Sequence, residues 1–162
     1  MKLYCITSCA FINDLSGYGA ALNGGRWNSK GVFLLYTSQN ISLAQLETLK
    51  HYELSRRFIS NNCLIVLNVP ASSVLPIKAA DLPPGWRSDP APKYLQQIGD
   101  LFYRQNKYLI LKVPSAINPA EYNYLINPMH KGFGKIISIS TQTIAIDRRL
   151  LRKQGKKQPQ KP

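Results

Sequence analysis

The stretch VFLLYTSQNISLAQLETLKHYELSRRFISNNCLIVLNVP, residues 32–70, reads as strand, helix, strand, and the rest of the chain is interpreted around it. VFLLYT (32–37) is apolar and rich in β-branched and aromatic side chains, which suit a pleated, half-buried surface. Ser42 with Gln45 three residues on is a capping-box pattern and predicts a helix over about residues 43–57. CLIVLNV (63–69) is a continuous apolar run closed by Pro70, the pattern of a buried strand. On the N-terminal side, KLYCIT (2–7) predicts a further strand. The loop that follows carries five glycines between Gly17 and Gly31, so its backbone must turn sharply or approach something closely. Past Pro70, residues 70–93 hold six prolines and no periodicity and read as a long loop around Trp86. A helix from about Tyr94 to Gln105 is expected to bury Leu95, Ile98, Leu101 and Phe102. Strands are expected at YLILKV (108–113), NYLI (123–126), GKIISIS (134–140) and TIAI (143–146), the last two close enough for a hairpin. Mixed strands with two main helices give an α+β fold in a single compact domain over residues 1–147.

The 162 residues, 44% hydrophobic and 18% charged, suit one globular domain rather than a disordered chain. No apolar run reaches the roughly 18 residues that would span a bilayer, and no signal peptide is legible. Cys5, Cys9 and Cys63 form no CxxC pair, which argues against a disulfide scaffold or a zinc site and fits a reducing, cytoplasmic setting. No metal site is expected. The net charge of +13 is unevenly spread, because seven of the 21 basic residues fall in residues 148–162. That tail reads as a disordered, solvated end or a nonspecific contact. The remaining body carries fourteen bases against eight acids, a moderate excess that suits an anionic ligand such as a phosphorylated metabolite or a nucleic acid.

Several side chains could carry chemistry, each with a plainer reading beside it. In GGRWN, Gly25 lets backbone and the Arg26 guanidinium approach a ligand, and an arginine fork can hold two phosphate oxygens at once; otherwise Arg26 is a surface residue beside a packed Trp27. If Leu43, Leu46, Leu49 and Leu54 define the buried arc of their helix, Glu47 falls about 20–40° beyond its edge, facing solvent or a cleft. There it could steady a developing positive charge, although Glu53 satisfies the same arithmetic. Tyr36 and Ser115 stand at strand ends, where sites form but where core aromatics and turn residues are also found. Asn123 and Asn127 flank a short strand, His130 is a possible general base without a placed partner, and His51 reads as an exposed helix residue. Walker, HExxH, GxSxG and post-strand GxGxxG patterns are all missing.

Taken together, GYGAALNGGRWNSKG, LYTS, SLAQLETLKH, the Trp loop, QQIGDLF, LKVPSA and NYLINPMH resemble the RES domain family over about residues 2–140. The family supplies toxins of bacterial toxin–antitoxin pairs. The resemblance implies a fold similar to ADP-ribosyltransferases, with a cleft for NAD+ as substrate and no other cofactor. It implies cleavage of the nicotinamide–ribose bond by hydrolysis or phosphorolysis, or, as in at least one member, ADP-ribosyl transfer to a protein. It assigns Arg26, Tyr36, Glu47 and Ser115 as the catalytic set, with Gly25 and Asn123 also against NAD+. The implied partner is an Xre-type helix-turn-helix antitoxin that covers the cleft, in a higher-order assembly, with nucleic acid reached only through that antitoxin. One position departs from the family pattern: Cys5 stands before Ile6 where an Arg is common, which would remove a phosphate contact if that Arg makes one. A reading from a different class is a basic RNA-binding or ribonuclease-type toxin, supported by the charge and by Tyr103, Tyr108, Tyr122 and Tyr124 as stacking candidates.

Overall fold

The computed structural model of the chain describes residues 1–50 and 61–147. Among the described residues seven strands form one sheet: β1 (Lys2–Ser8), β2 (Leu35–Ser38), β3 (Asn62–Asn68), β4 (Val74–Pro76), β5 (Ile110–Pro114), β6 (Tyr122–Ile126) and β7 (Ile137–Ile144). Their spatial order is β4-β5-β6-β2-β1-β3-β7, antiparallel throughout except for the parallel pair β4–β5. The helices are α1 (Tyr18–Asn23), α2 (Ile41–Lys50) and α3 (Lys93–Gln105). The architecture is α+β, as the mixed order of elements predicts.

Strand pairing fixes which residues share a face, because side chains alternate along a strand and directly paired residues point the same way. Tyr4 pairs with Ser38, Ser38 with Asn123, Tyr36 with Leu125, and Val113 with Asn123, so these residues lie on one face. Helix α3 covers that face at β5 and β6, where Leu95 and Phe102 join Leu111, Val113 and Leu125 in a core completed by Trp27, Leu34 and Trp86. Helix α2 packs on the same face over β1 and β2. The opposite face buries Leu3, Leu35, Ile65, Leu67, Ile110 and Ile126, with Ile12, Leu15, Phe133 and Ile136 packed against them.

Several expectations need correction. The glycine-rich segment contains α1, short enough to be masked by the surrounding glycines. Strand β2 begins only at Leu35; Val32 and Leu34 are buried but lie outside the ladder. Helix α2 begins at Ile41 and not after Ser42: the Asn40 side chain accepts the Leu43 N–H at 2.7 Å and so does the capping. Its predicted continuation to residue 57, with Glu53 and Leu54, and His51 beside them, falls outside the described residues, as does the basic tail 148–162. The proline-rich loop contains β4, which pairs with β5 through Val74–Ile110. In α3, Leu101 is 56% exposed. At about 100° per residue it stands roughly 60° off the arc of Leu95, Ile98 and Phe102. The expected C-terminal hairpin is one continuous strand, β7, which pairs with β3 from Asn62–Ile144 to Asn68–Ile137. Finally, Cys9 and Cys63 form a disulfide with a Cα separation of 4.9 Å. The β1–β3 register, Thr7–Cys63 and Ser8–Asn62, brings these two side by side across a sequence separation of 54, which spacing alone does not reveal.

Cys5 is the free thiol. It packs against the core on the face opposite α2 and α3, and burial pushes its thiol up to about 11. A thiol held that high is almost wholly protonated near neutrality, so Cys5 should alkylate far more slowly at pH 8 in the folded protein than after unfolding. Timed iodoacetamide labelling read by mass spectrometry checks this; equal rates would refute it. At Gly99, a Cβ would overlap the Trp27 carbonyl, so α3 lies directly on the backbone of the glycine-rich loop. Gly99→Ala should therefore cost about 1–3 kcal/mol, the range for forced overpacking, visible as a lower Tm.

Candidate active site

Helices α2 and α3 stand on the same face of the sheet, α2 over β1 and β2 and α3 over β5 and β6. Glu47 belongs to α2. The arc that α2 buries is Leu43 and Ala44, while Leu46 is exposed. Glu47 is therefore not beyond the edge of the buried face: at about 100° per residue it lies between the directions of Leu43 and Ala44, pointing to the sheet. There Oε1 accepts a hydrogen bond from Ser115 Oγ at 2.8 Å and another from Asn123 Nδ2 at 2.6 Å. Both bonds go to the same oxygen, which holds the carboxylate in one orientation; among the described residues Oε2 has no hydrogen-bond partner.

The groups that hold Glu47 are themselves held. Ser115 is fully buried just past β5, and its Oγ accepts the backbone N–H groups of Ile117 at 3.1 Å and Asn118 at 3.2 Å. With those two acceptances made, its hydroxyl proton is committed to Glu47. Asn123 on β6 accepts from Ser38 Oγ on β2 at 2.8 Å, which fixes its amide so that the NH2 faces Glu47. Ser38 and Asn123 are cross-strand partners, so the sheet register assembles this part of the site.

Tyr36, two residues before Ser38 on the same face, reaches into the glycine-rich loop. Its hydroxyl donates to Asn28 Oδ1 at 2.7 Å and accepts the Trp27 N–H at 3.2 Å. Asn28 is fully buried and spends its Nδ2 on the carbonyls of Ala20, Ser29 and Val32, a staple that folds the loop on itself. Burial pushes the Tyr36 phenol well above its ordinary range. The Trp27 hydrogen bond and the Arg26 charge act the other way, while Asp100 and Glu47 add to the rise. The phenol thus stays neutral and lies within the electrostatic reach of both Arg26 and Glu47. Gly25 has a reason to be glycine, since a Cβ there would fall 2.7 Å from both Asn28 Oδ1 and the Tyr36 hydroxyl.

Arg26, half-buried in the same loop, donates from Nη1 to the Trp86 carbonyl at 2.8 Å and from Nη2 to the Ser88 carbonyl at 3.1 Å. Two of its five donors therefore hold the loop around Trp86. Sequence reasoning missed this anchoring role; the only signal was that one Trp stands in the loop.

Other candidates lie elsewhere. His130 lines a separate cavity of about 260 Å3 with Ser72, Ser73, Leu109, Lys131 and Lys135, and its Nδ1 accepts the Gly132 N–H at 3.0 Å. Asn127 is a turn residue whose side chain bonds Tyr103, Asn106 and the Met129 N–H. Cys5 faces away from Glu47, on the other side of the sheet. Lys112 lies over the ring of Tyr122, 3.9 Å from its centre, and 5.9 Å from that of Tyr124, which occupies two of the four tyrosines suggested for base stacking. Among the described residues no helix is long and apolar enough to cross a membrane.

Comparison with known proteins identifies the family and the fold. The chain is 38% identical over 152 residues to Toxin Res of Yersinia enterocolitica, covering 93% of this chain and 99% of that protein. It is 35% identical over 144 residues to the Prs ADP-ribosylating toxin of a Sphingobium strain, covering 87% and 89%. The fold matches a chain in the crystal structure of the M. tuberculosis MbcT–MbcA toxin–antitoxin complex with a TM-score of 0.72 at 16% identity, over 89% of this chain and 84% of that one. The RES domain family itself matches residues 3–148, and the chain accordingly belongs to the RES domain family of toxins.

Proposed function

We propose that the protein is a toxin that cleaves the nicotinamide–ribose bond of NAD+, passing the ADP-ribose to water or phosphate. The observation that carries this reading is the Glu47 carboxylate fixed through one oxygen by Ser115 and Asn123, on the face it shares with Tyr36. As the bond breaks, nicotinamide leaves as a neutral molecule with the bonding electron pair and the ribose becomes an oxocarbenium ion. A carboxylate oriented before the reaction stabilises that charge without having to reorganise, which is where electrostatic catalysis gains most. Oε2 is the oxygen available to face the ribose or to orient the incoming water or phosphate. The guanidinium of Arg26 suits a pyrophosphate, and the half-buried ring of Tyr36 offers an edge or face to the nicotinamide. Gly25 allows backbone to approach the dinucleotide closely.

A second reading, transfer of ADP-ribose to a protein acceptor, is favoured by the likeness to the Prs ADP-ribosylating toxin. It uses the same Glu47 and the same bond cleavage and differs only in the nucleophile. An antitoxin is the proposed partner, in line with the fold shared with a chain of the MbcT–MbcA toxin–antitoxin complex; its Xre helix-turn-helix type is proposed from the family resemblance alone.

The experiment is mass spectrometry of NAD+ incubated with the purified protein, with and without phosphate. ADP-ribose as product means hydrolysis, ADP-ribose 1″-phosphate means phosphorolysis, and a mass gain on a protein in lysate means transfer. Glu47→Gln keeps an oxygen to accept from Ser115 and Asn123 while removing the charge. It should lower nicotinamide release about 10²–10³-fold, the typical loss for one such electrostatic contact, with Tm close to wild type. Full activity in that variant would sink the assignment. Arg26→Ala should abolish activity and also lower Tm, because two charge-assisted bonds, each worth about 1.5–3 kcal/mol in a buried setting and less where exposed, are lost with the loop it holds.

A further inference from the structure

The loop around Trp86 carries an arginine that neither the sequence pattern nor the proposed chemistry uses. Arg87 is exposed, and it reaches across to the turn after β5, donating from Nε to the Ala116 carbonyl at 2.8 Å and from Nη2 to the Ile117 carbonyl at 3.3 Å. These two carbonyls belong to the same two peptide groups whose N–H ends, those of Ile117 and Asn118, are accepted by Ser115 Oγ. Each peptide group is thus held at its oxygen by Arg87 and at its nitrogen by Ser115. A cation on the carbonyl oxygen draws electron density from the amide and makes its N–H a stronger donor, and hydrogen bonds in a chain reinforce one another in this way. Two strengthened donors on Ser115 Oγ in turn make its own hydroxyl a better donor to Glu47.

We propose that Arg87 is a positioning residue of the active site: it acts through two consecutive peptide groups to hold Ser115, and through Ser115 the Glu47 carboxylate. The same link closes a circuit around the cleft. Arg26 ties the glycine-rich loop to the carbonyls on either side of Arg87, Arg87 ties that loop to the Ser115 turn, Ser115 and Asn123 tie Glu47 to β6, and Ser38 and Tyr36 lead back along β2 to Asn28. Trp86, buried in the core under this loop, keeps the two arginines at their stations. An arginine is needed because its planar fork meets two successive carbonyls at once, whereas an ammonium is a single point.

The proposal rests on the Glu47 reading for its kinetic test but not for its structural one. Hydrogen exchange at the amides of Ile117 and Asn118 should quicken about tenfold in Arg87→Ala with Tm little changed, as expected for a local opening; unchanged exchange overturns the proposal whatever the protein does to NAD+. In the nicotinamide-release assay, kcat of Arg87→Ala should fall about tenfold with KM within roughly twofold, the signature of a lost transition-state arrangement. A raised KM with unchanged kcat would mean that Arg87 touches the substrate, and an unchanged kcat and KM that it does nothing; both overturn the proposal. Arg87→Lys, which keeps the charge without the fork, should remain impaired, and full recovery by Lys would show that charge alone is at work. Absence of nicotinamide release in wild type would fail the NAD+ reading and leave the exchange result to decide on Arg87.

Discussion

A half-buried carboxylate has to be satisfied by donors, and the way Glu47 meets that demand organises the cleft. Its two bonds converge on Oε1 from residues of different origin: Ser115 from just past β5 and Asn123 from near the start of β6. For these to meet, α2 must press its Leu43–Ala44–Glu47 side onto the sheet, β5 and β6 must be in register, and the turn after β5 must direct the Ser115 hydroxyl inward. Each condition is met by an independent device: burial of Leu43 and Ala44, the Val113–Asn123 pairing, and the two backbone amides on Ser115 Oγ. Removing any one of them leaves a half-buried carboxylate without part of its partner set, which costs free energy.

The glycine-rich loop follows a similar logic on the other side of the cleft. Asn28 gathers three carbonyls, Tyr36 closes on Asn28, and Gly25 leaves the space that the tyrosine hydroxyl needs. With the loop rigid, Arg26 is presented with two donors spent on the Trp86 loop. Rigidity here serves recognition, since a guanidinium already oriented loses less freedom when it binds an anion. The basic excess of the protein is therefore less informative than the placement of two arginines, 26 and 87, on either side of one tryptophan.

The strands near the site were legible because apolar runs such as CLIVLNV have little other use, and the α+β class followed from their order. Boundaries and caps were less so. Ser42 and Asn40 are both competent caps, and only the packing of Leu43 selects Asn40. The run from Gly134 to Ile146 has the same alternation whether it turns back on itself or continues, and β3 decided it by offering an unpaired edge along its whole length. Leu101 shows the opposite limit: an apolar residue in a helix need not be buried when neighbours better placed on the arc already fill the core.

From the sequence by itself came the fold class, the membership suggested by GGRWN, SLAQLE and VPSA, and the list of Arg26, Tyr36, Glu47, Ser115 and Asn123. Residue types in order carry that much, because strands and helices are written in local periodicity and a family pattern in local motifs. Only the tertiary structure decided that Glu47 faces the sheet, that Cys9 meets Cys63, that Cys5 lies on the far face, and that Arg26 and Arg87 share the Trp86 loop. Those facts depend on which strands are neighbours, in what register, and on how the loops and helices pack on them, and contacts between residues as distant in sequence as 26 and 86, or 47 and 115, leave no trace in local spacing.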